Sequence, residues 1–126
     1  MSVKRAVVVD DDPQTRYLVQ IVLESLGINK VAKADNGEKA LSLIKGGDVA
    51  IVIMDWKMEV MDGLECTRRI RAGVDGIDPM LPILLVTAVR GDEAEKEAYA
   101  AGVDLFMEKP FGLSDLHLAI AKLIKV

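Results

Sequence analysis

Five short apolar runs, at residues 4–10, 29–34, 49–54, 81–88 and 103–109, alternate with five stretches of helical periodicity. This alternation constrains the fold more than any other feature of the chain. Strands separated by helices all run the same way, so they pair in parallel through right-handed crossovers. The predicted fold is α/β, a doubly wound five-stranded parallel sheet of the flavodoxin-like (βα)5 kind. The runs at 4–10, 49–54 and 83–87 are the most continuously apolar and suit central strands buried on both faces. The run at 29–34, interrupted by lysines, suits an edge. The resulting strand order is 2-1-3-4-5.

The helix starts carry their own signals. Asp12-Pro13 reads as an N-cap followed by proline at the first helical position, opening a helix to about Leu26 that Gly27 stops. Asn36-Gly37 opens the second helix, which ends at Gly46-Gly47. Asp62 caps the third, with Glu65 reaching back as in a capping box, and that helix runs to about Arg71 before a loop over 72–82. Gly91-Asp92 with Glu95 repeats the pattern for a helix ending at Gly102, and Ser114 is expected to cap the last one.

With 126 residues the chain is expected to form a single domain, 1–126. No run approaches the roughly 20 apolar residues of a membrane helix, so no membrane association is expected and the predicted location is cytoplasmic. A net charge of −4 argues against direct nucleic acid binding, which wants a basic surface. Cys66 is the only cysteine, which excludes an intramolecular disulfide; beside core positions it reads as a packed, inert thiol. His117 is given no role.

The 2-1-3-4-5 order puts its switch point between the first and third strands, where open α/β sheets bind ligands. Asp10, Asp11, Asp12 and Asp55 converge there, and Thr87 and Lys109 arrive from the ends of the next two strands. Carboxylates crowded at one pole repel unless a hard cation sits among them, and Mg2+ takes such oxygen ligands while keeping waters and a phosphate oxygen. The set matches a site where Asp55 attacks a phosphoryl group. Magnesium and Lys109 would neutralise the developing charge, and the Thr87 hydroxyl with the Ala88 backbone N–H could hold the phosphoryl oxygens. Asp12 and Asp62 read as helix caps, and Trp56 is expected beside the site, partly exposed.

These residues resemble the receiver domains of two-component response regulators, the chemotaxis regulators among them. The likeness covers essentially the whole chain. It rests on Val8-Val9-Asp10-Asp11, Met54-Asp55-Trp56-Lys57-Met58, Met61-Asp62-Gly63-Leu64-Glu65, Thr87-Ala88, Ala101-Gly102-Val103 and Lys109-Pro110-Phe111, in order and each at its strand end. The resemblance implies that Asp55 is the phosphoacceptor for a sensor histidine kinase or histidine phosphotransfer domain. It implies Asp11 as a direct Mg2+ ligand, Asp10 acting through water, and the Lys57 carbonyl as a backbone ligand. Thr87 and Lys109 would bind the phosphoryl group, and Phe106 falls where the family places an aromatic switch residue. The output face would comprise the fourth helix, fifth strand and fifth helix. Such a protein is not an enzyme in the usual sense but a phosphoacceptor that assists its own phosphorylation and dephosphorylation.

Two departures stand out. Glu59 occupies the place of the family's usual proline, and Phe106 lacks the phenolic hydroxyl often found there. The resemblance places Lys57 and Val89 at positions that in the family tune autodephosphorylation. A flavin-binding domain would want a phosphate loop where Asp10-Asp11-Asp12 stands, and an aspartate-nucleophile phosphohydrolase would want Thr or Val in place of Gln14. The alternative is a receiver-like adaptor that binds partners without phosphate; retention of Asp11, Asp55, Thr87 and Lys109 argues against it.

Overall fold

The computed structural model describes residues 4–125. The strands are β1 (Arg5–Val9), β2 (Lys30–Ala34), β3 (Val49–Met54), β4 (Ile83–Thr87) and β5 (Leu105–Glu108). The helices are α1 (Pro13–Ser25), α2 (Gly37–Ile44), α3 (Gly63–Arg71), α4 (Asp92–Ala101) and α5 (Leu113–Ile124). All strands pair in parallel, in the order β2-β1-β3-β4-β5 expected from the apolar runs.

Alternation along the central strands divides the core in two. Val7, Val9, Val52, Met54, Ile83 and Leu85 face α2, α3 and α4, whereas Ala6, Val8, Ile51, Ile53, Leu84 and Val86 face α1 and α5. Both faces are covered, which is why these strands are apolar without interruption. β5, at the edge, is only half-buried along its length and is shorter than the 103–109 run. The loop at 72–82 contains a short 3-10 turn, Val74–Gly76.

Three helices begin as their sequences indicate. Asp12 accepts from the Gln14 N–H, Asn36 from Lys39 N–H and Asp62 from Glu65 N–H. Glu65 does not complete a capping box; its carboxylate pairs with Arg69 at 2.9 Å and Arg68 at 3.6 Å on its own helix. The last two starts differ from expectation. α4 is preceded by Gly91 at φ 102, with no side-chain cap, and Glu95 lies one residue too far along to reach back. α5 takes Gly112 as its cap position, so Ser114 lies inside the helix.

At the pole opposite the acidic strand ends, Arg71 ties the end of α3 to the loop before β4 and to the connection between α4 and β5. Its guanidinium donates to the carbonyls of Gly102 (2.8 Å), Pro79 (2.8 Å) and Leu81 (2.7 Å) and to Asp104 Oδ2 (2.8 Å). That carboxylate also accepts the Ile83 N–H at 2.8 Å, so the start of β4 is fixed by the same side chain.

Candidate functional site

β1 and β3 deliver two acids side by side. Val9 and Met54 are register partners, so Asp10 and Asp55 are each the first residue past a paired position. The ladder continues into both: the Asp10 N–H donates to Ala34 O at 3.0 Å, and the Asp55 N–H to Val9 O at 2.9 Å. Asp10 and Asp55 are buried, Asp11 is exposed at the rim, and one carboxylate oxygen from each of the three lies within 4.8 Å of the others.

Lys109, from the end of β5, closes the cluster. Its Nζ donates to Asp10 Oδ2 at 2.8 Å and to Asp55 Oδ2 at 3.1 Å. The remaining oxygens are held by backbone: Asp55 Oδ1 accepts the Trp56 N–H at 2.6 Å, and Asp10 Oδ1 the Asp12 N–H at 2.9 Å. Burial pushes the Asp10 carboxyl above its ordinary value, outweighing the hydrogen bonds from Lys109 and Asp12 that pull it down. Burial also pulls on the Lys109 ammonium, but the hydrogen bonds to Asp10 and Asp55 prevail and its pKa is raised. One ammonium against three carboxylates leaves the cluster negative. An all-oxygen, negatively charged donor set of this kind fits a hard divalent cation such as Mg2+.

Asp12 stands apart from the cluster, engaged as a cap with the Gln14 N–H at 3.1 Å and the Thr15 hydroxyl at 2.9 Å. Thr87 is buried, its Oγ1 accepting the Val89 N–H at 3.1 Å, and its carbonyl accepts the Lys109 N–H at 2.8 Å. The Thr87 and Lys109 strand ends are thus joined by backbone. Ala88 shares a shallow apolar groove with Lys109, Thr15, Leu18 and Phe111. Phe106, half-buried on β5 opposite Leu85, packs on the α2-α3-α4 side of the sheet.

The loop from Asp55 to Asp62 is tightly folded. The Gly63 N–H donates to Trp56 O at 2.8 Å, and a Cβ on Gly63 would lie 2.1 Å from Asp55 O, so only glycine admits this approach. Glu59, at the family's proline position, is exposed and its carbonyl accepts the Met61 N–H at 2.7 Å around Val60, which sits at φ 69. Lys57 is exposed, its Nζ 5.1 Å from the centroid of the Trp56 ring. Trp56 itself is buried, not partly exposed: it belongs to the core cluster on the α2-α3-α4 side of the sheet, a burial set by tertiary packing. Cys66 is buried and its thiol is pushed up to about 12 by that burial, in keeping with an inert role.

Some contacts at the site had no sequence signal. The Arg16 guanidinium donates to Asp10 O at 2.6 Å, and Glu108 Oε2 accepts the Gly91 N–H at 3.1 Å. The second joins elements distant in sequence, and the first, though its residues are only six apart, ends on a backbone carbonyl, which carries no side-chain signal.

Strand-end acids at the β1/β3 switch point, with a lysine reaching them from β5, define the class. The response regulator receiver domain family model matches residues 6–121, and the chain belongs to this family, the receivers of two-component signalling. Within it the chain is chemotaxis-regulator-like. It is 36% identical over 121 residues to the chemotaxis protein CheY-3 of Vibrio cholerae, covering 96% of this chain and 92% of that protein. To chemotaxis protein CheY of Pseudomonas aeruginosa it is 33% identical, with 96% of each chain covered. Among solved structures it is similar to the receiver domain of a Pseudomonas aeruginosa sensor histidine kinase that carries a magnesium ion coordinated in its active-site cleft. That likeness has a TM-score of 0.84 at 26% identity, covering 99% of this chain and 100% of that one. Receivers are signalling proteins, not enzymes in the classical sense. Among the described residues no helix is long and apolar enough to cross a membrane.

Proposed function

We propose that residues 1–126 act as one phosphorylation-controlled receiver, taking a phosphoryl group onto Asp55 from a phosphohistidine on a sensor kinase or phosphotransfer domain. The observation that carries this reading is the Lys109 ammonium bridging Asp10 and Asp55 beside a third carboxylate, Asp11. An Asp55 carboxylate oxygen forms the new bond to phosphorus while the bond to the donor imidazole nitrogen breaks. Lys109, already within hydrogen-bond distance of Asp55, neutralises charge on the transferred group. Ala88 N–H and the Thr87 hydroxyl lie at the end of the neighbouring strand as donors for the phosphoryl oxygens.

Asp11 and Asp55, with the Lys57 carbonyl, would hold Mg2+ directly and Asp10 through water. When bound, the cation supplies further neutralisation of phosphoryl charge. Thr87 and Phe106 would relay the modified state to the α4-β5-α5 face. The outer side of α4 presents Asp92, Glu93, Glu95 and Glu97, all exposed, which favours a downstream protein partner with a basic docking surface.

The test is intact-mass spectrometry after incubation with acetyl phosphate and Mg2+. One added phosphoryl group, absent without Mg2+ and absent in Asp55→Asn, is expected. An adduct that persists in that variant would overturn the assignment, and a folded protein that takes no adduct would favour the phosphate-independent adaptor.

A further inference from the structure

α4 is weakly anchored by apolar packing. Its buried side chains are Ala98 and Ala101, with Ala94 partly buried, whereas each other helix buries at least one leucine, isoleucine or valine. An element with so little apolar contact needs other restraints or it opens locally. Polar straps to β5 provide them.

The first strap is at the start of the helix. Gly91 has no side chain to cap α4, yet its N–H is satisfied at 3.1 Å by Glu108 Oε2. Glu108 thus does from another strand what the acidic residue of a capping box does within its own helix. Arg90 reinforces the contact, 3.5 Å from Glu108 Oε1 and donating to Lys109 O at 3.2 Å. The second strap lies further along, where the Tyr99 hydroxyl oxygen accepts the Phe106 N–H at 3.2 Å. That N–H belongs to the open edge of the sheet, where β5 has no neighbouring strand.

Both straps end at residues tied to the site. Glu108 precedes Lys109 and pairs in register with Thr87; Phe106 is the proposed switch residue. The segment pinned at Gly91 begins with Thr87 and Ala88, and Thr87 Oγ1 is engaged by the Val89 N–H within it. On the reading above, Thr87 and Phe106 relay the phosphorylated state to the α4-β5-α5 face, and the segment between the two straps would shift with them.

We propose that Glu108 and Tyr99 are positioning residues that latch α4 and residues 88–91 to the β5 edge in the phosphate-free state, so that phosphoryl binding works against them. The inference rests on the phosphoacceptor reading above and adds a restraint built from this chain's own side chains. Contacts made in one state only oppose any ligand that prefers the other.

The test uses the full chain with Mg2+ and beryllofluoride as the phosphoryl mimic, titrated by calorimetry in wild type, Glu108→Ala, Tyr99→Phe and the double variant. Each single change is expected to tighten binding about threefold and the double change about tenfold. Amide exchange over 92–101 should quicken in the unliganded double variant while β1 and β3 stay protected. Unchanged or weaker binding in the double variant, with wild type binding normally, overturns the latch. A wild type that does not bind beryllofluoride overturns the phosphoacceptor reading and the latch with it.

Discussion

Lys109 carries two demands at once, since it is the counter-charge for Asp10 and Asp55 and is itself only partly exposed. Removing it leaves two buried carboxylates facing each other. Lys109→Met is expected to lower stability by about 2 kcal/mol in urea unfolding without divalent cations, less than for a fully buried pair because some solvent reaches the site. Asp10→Asn should act in the opposite direction. Because the folded state holds the Asp10 proton to higher pH than the unfolded state, ionising Asp10 costs stability as pH rises above the unfolded value of 3.8. Neutralising it should raise the urea midpoint near pH 7, and the gain should vanish in acid, where wild type is also protonated. A midpoint that falls at every pH would show that the Asp10 hydrogen bonds outweigh its burial. The convergence of Asp10, Asp11, Asp55 and Lys109 was legible in the sequence because they stand at the ends of apolar runs that pair as parallel strands. The burial of Trp56 was not, because it depends on tertiary packing.

The elements show the same division. β3 matches its apolar run, Val49–Met54, whereas β4 and β5 are shorter than the runs at 81–88 and 103–109, because those runs continue into the loops at the strand ends. α1, α2 and α3 announce their starts through Asp12, Asn36 and Asp62; α4 and α5 begin on glycines, and a glycine cap leaves little to read. The Arg71 network joins three segments through one side chain. Arg71→Ala should destabilise the domain by about 2 to 3 kcal/mol, because it strands three carbonyls and the Asp104 carboxylate together. Arg71→Lys should recover little, as an ammonium cannot reproduce the forked geometry. Urea unfolding reads both, and Mg2+ affinity should not move in either, since the network lies at the opposite pole.

For the whole molecule, a bound Mg2+ would link stability to the site. Mg2+ that binds only the folded state should add about 2.7 kcal/mol at one hundred times its dissociation constant. Asp11→Asn should abolish most of that gain while changing the metal-free stability by less than about 0.5 kcal/mol, because Asp11 is exposed. Thermal unfolding with and without Mg2+ checks both, and an equal gain in the variant would remove Asp11 from the ligand set. The pairing of Val9 with Met54 gives this linkage a further meaning. The spacing of Asp10 from Asp55 is set by the pitch between two hydrogen-bonded strands, about 4.8 Å, and not by the packing beneath them. Core substitutions can therefore loosen the domain yet leave its chemistry in calibration. A one-residue insertion within β1 or β3 would do the reverse, turning one acid to the opposite face of a sheet that could still fold.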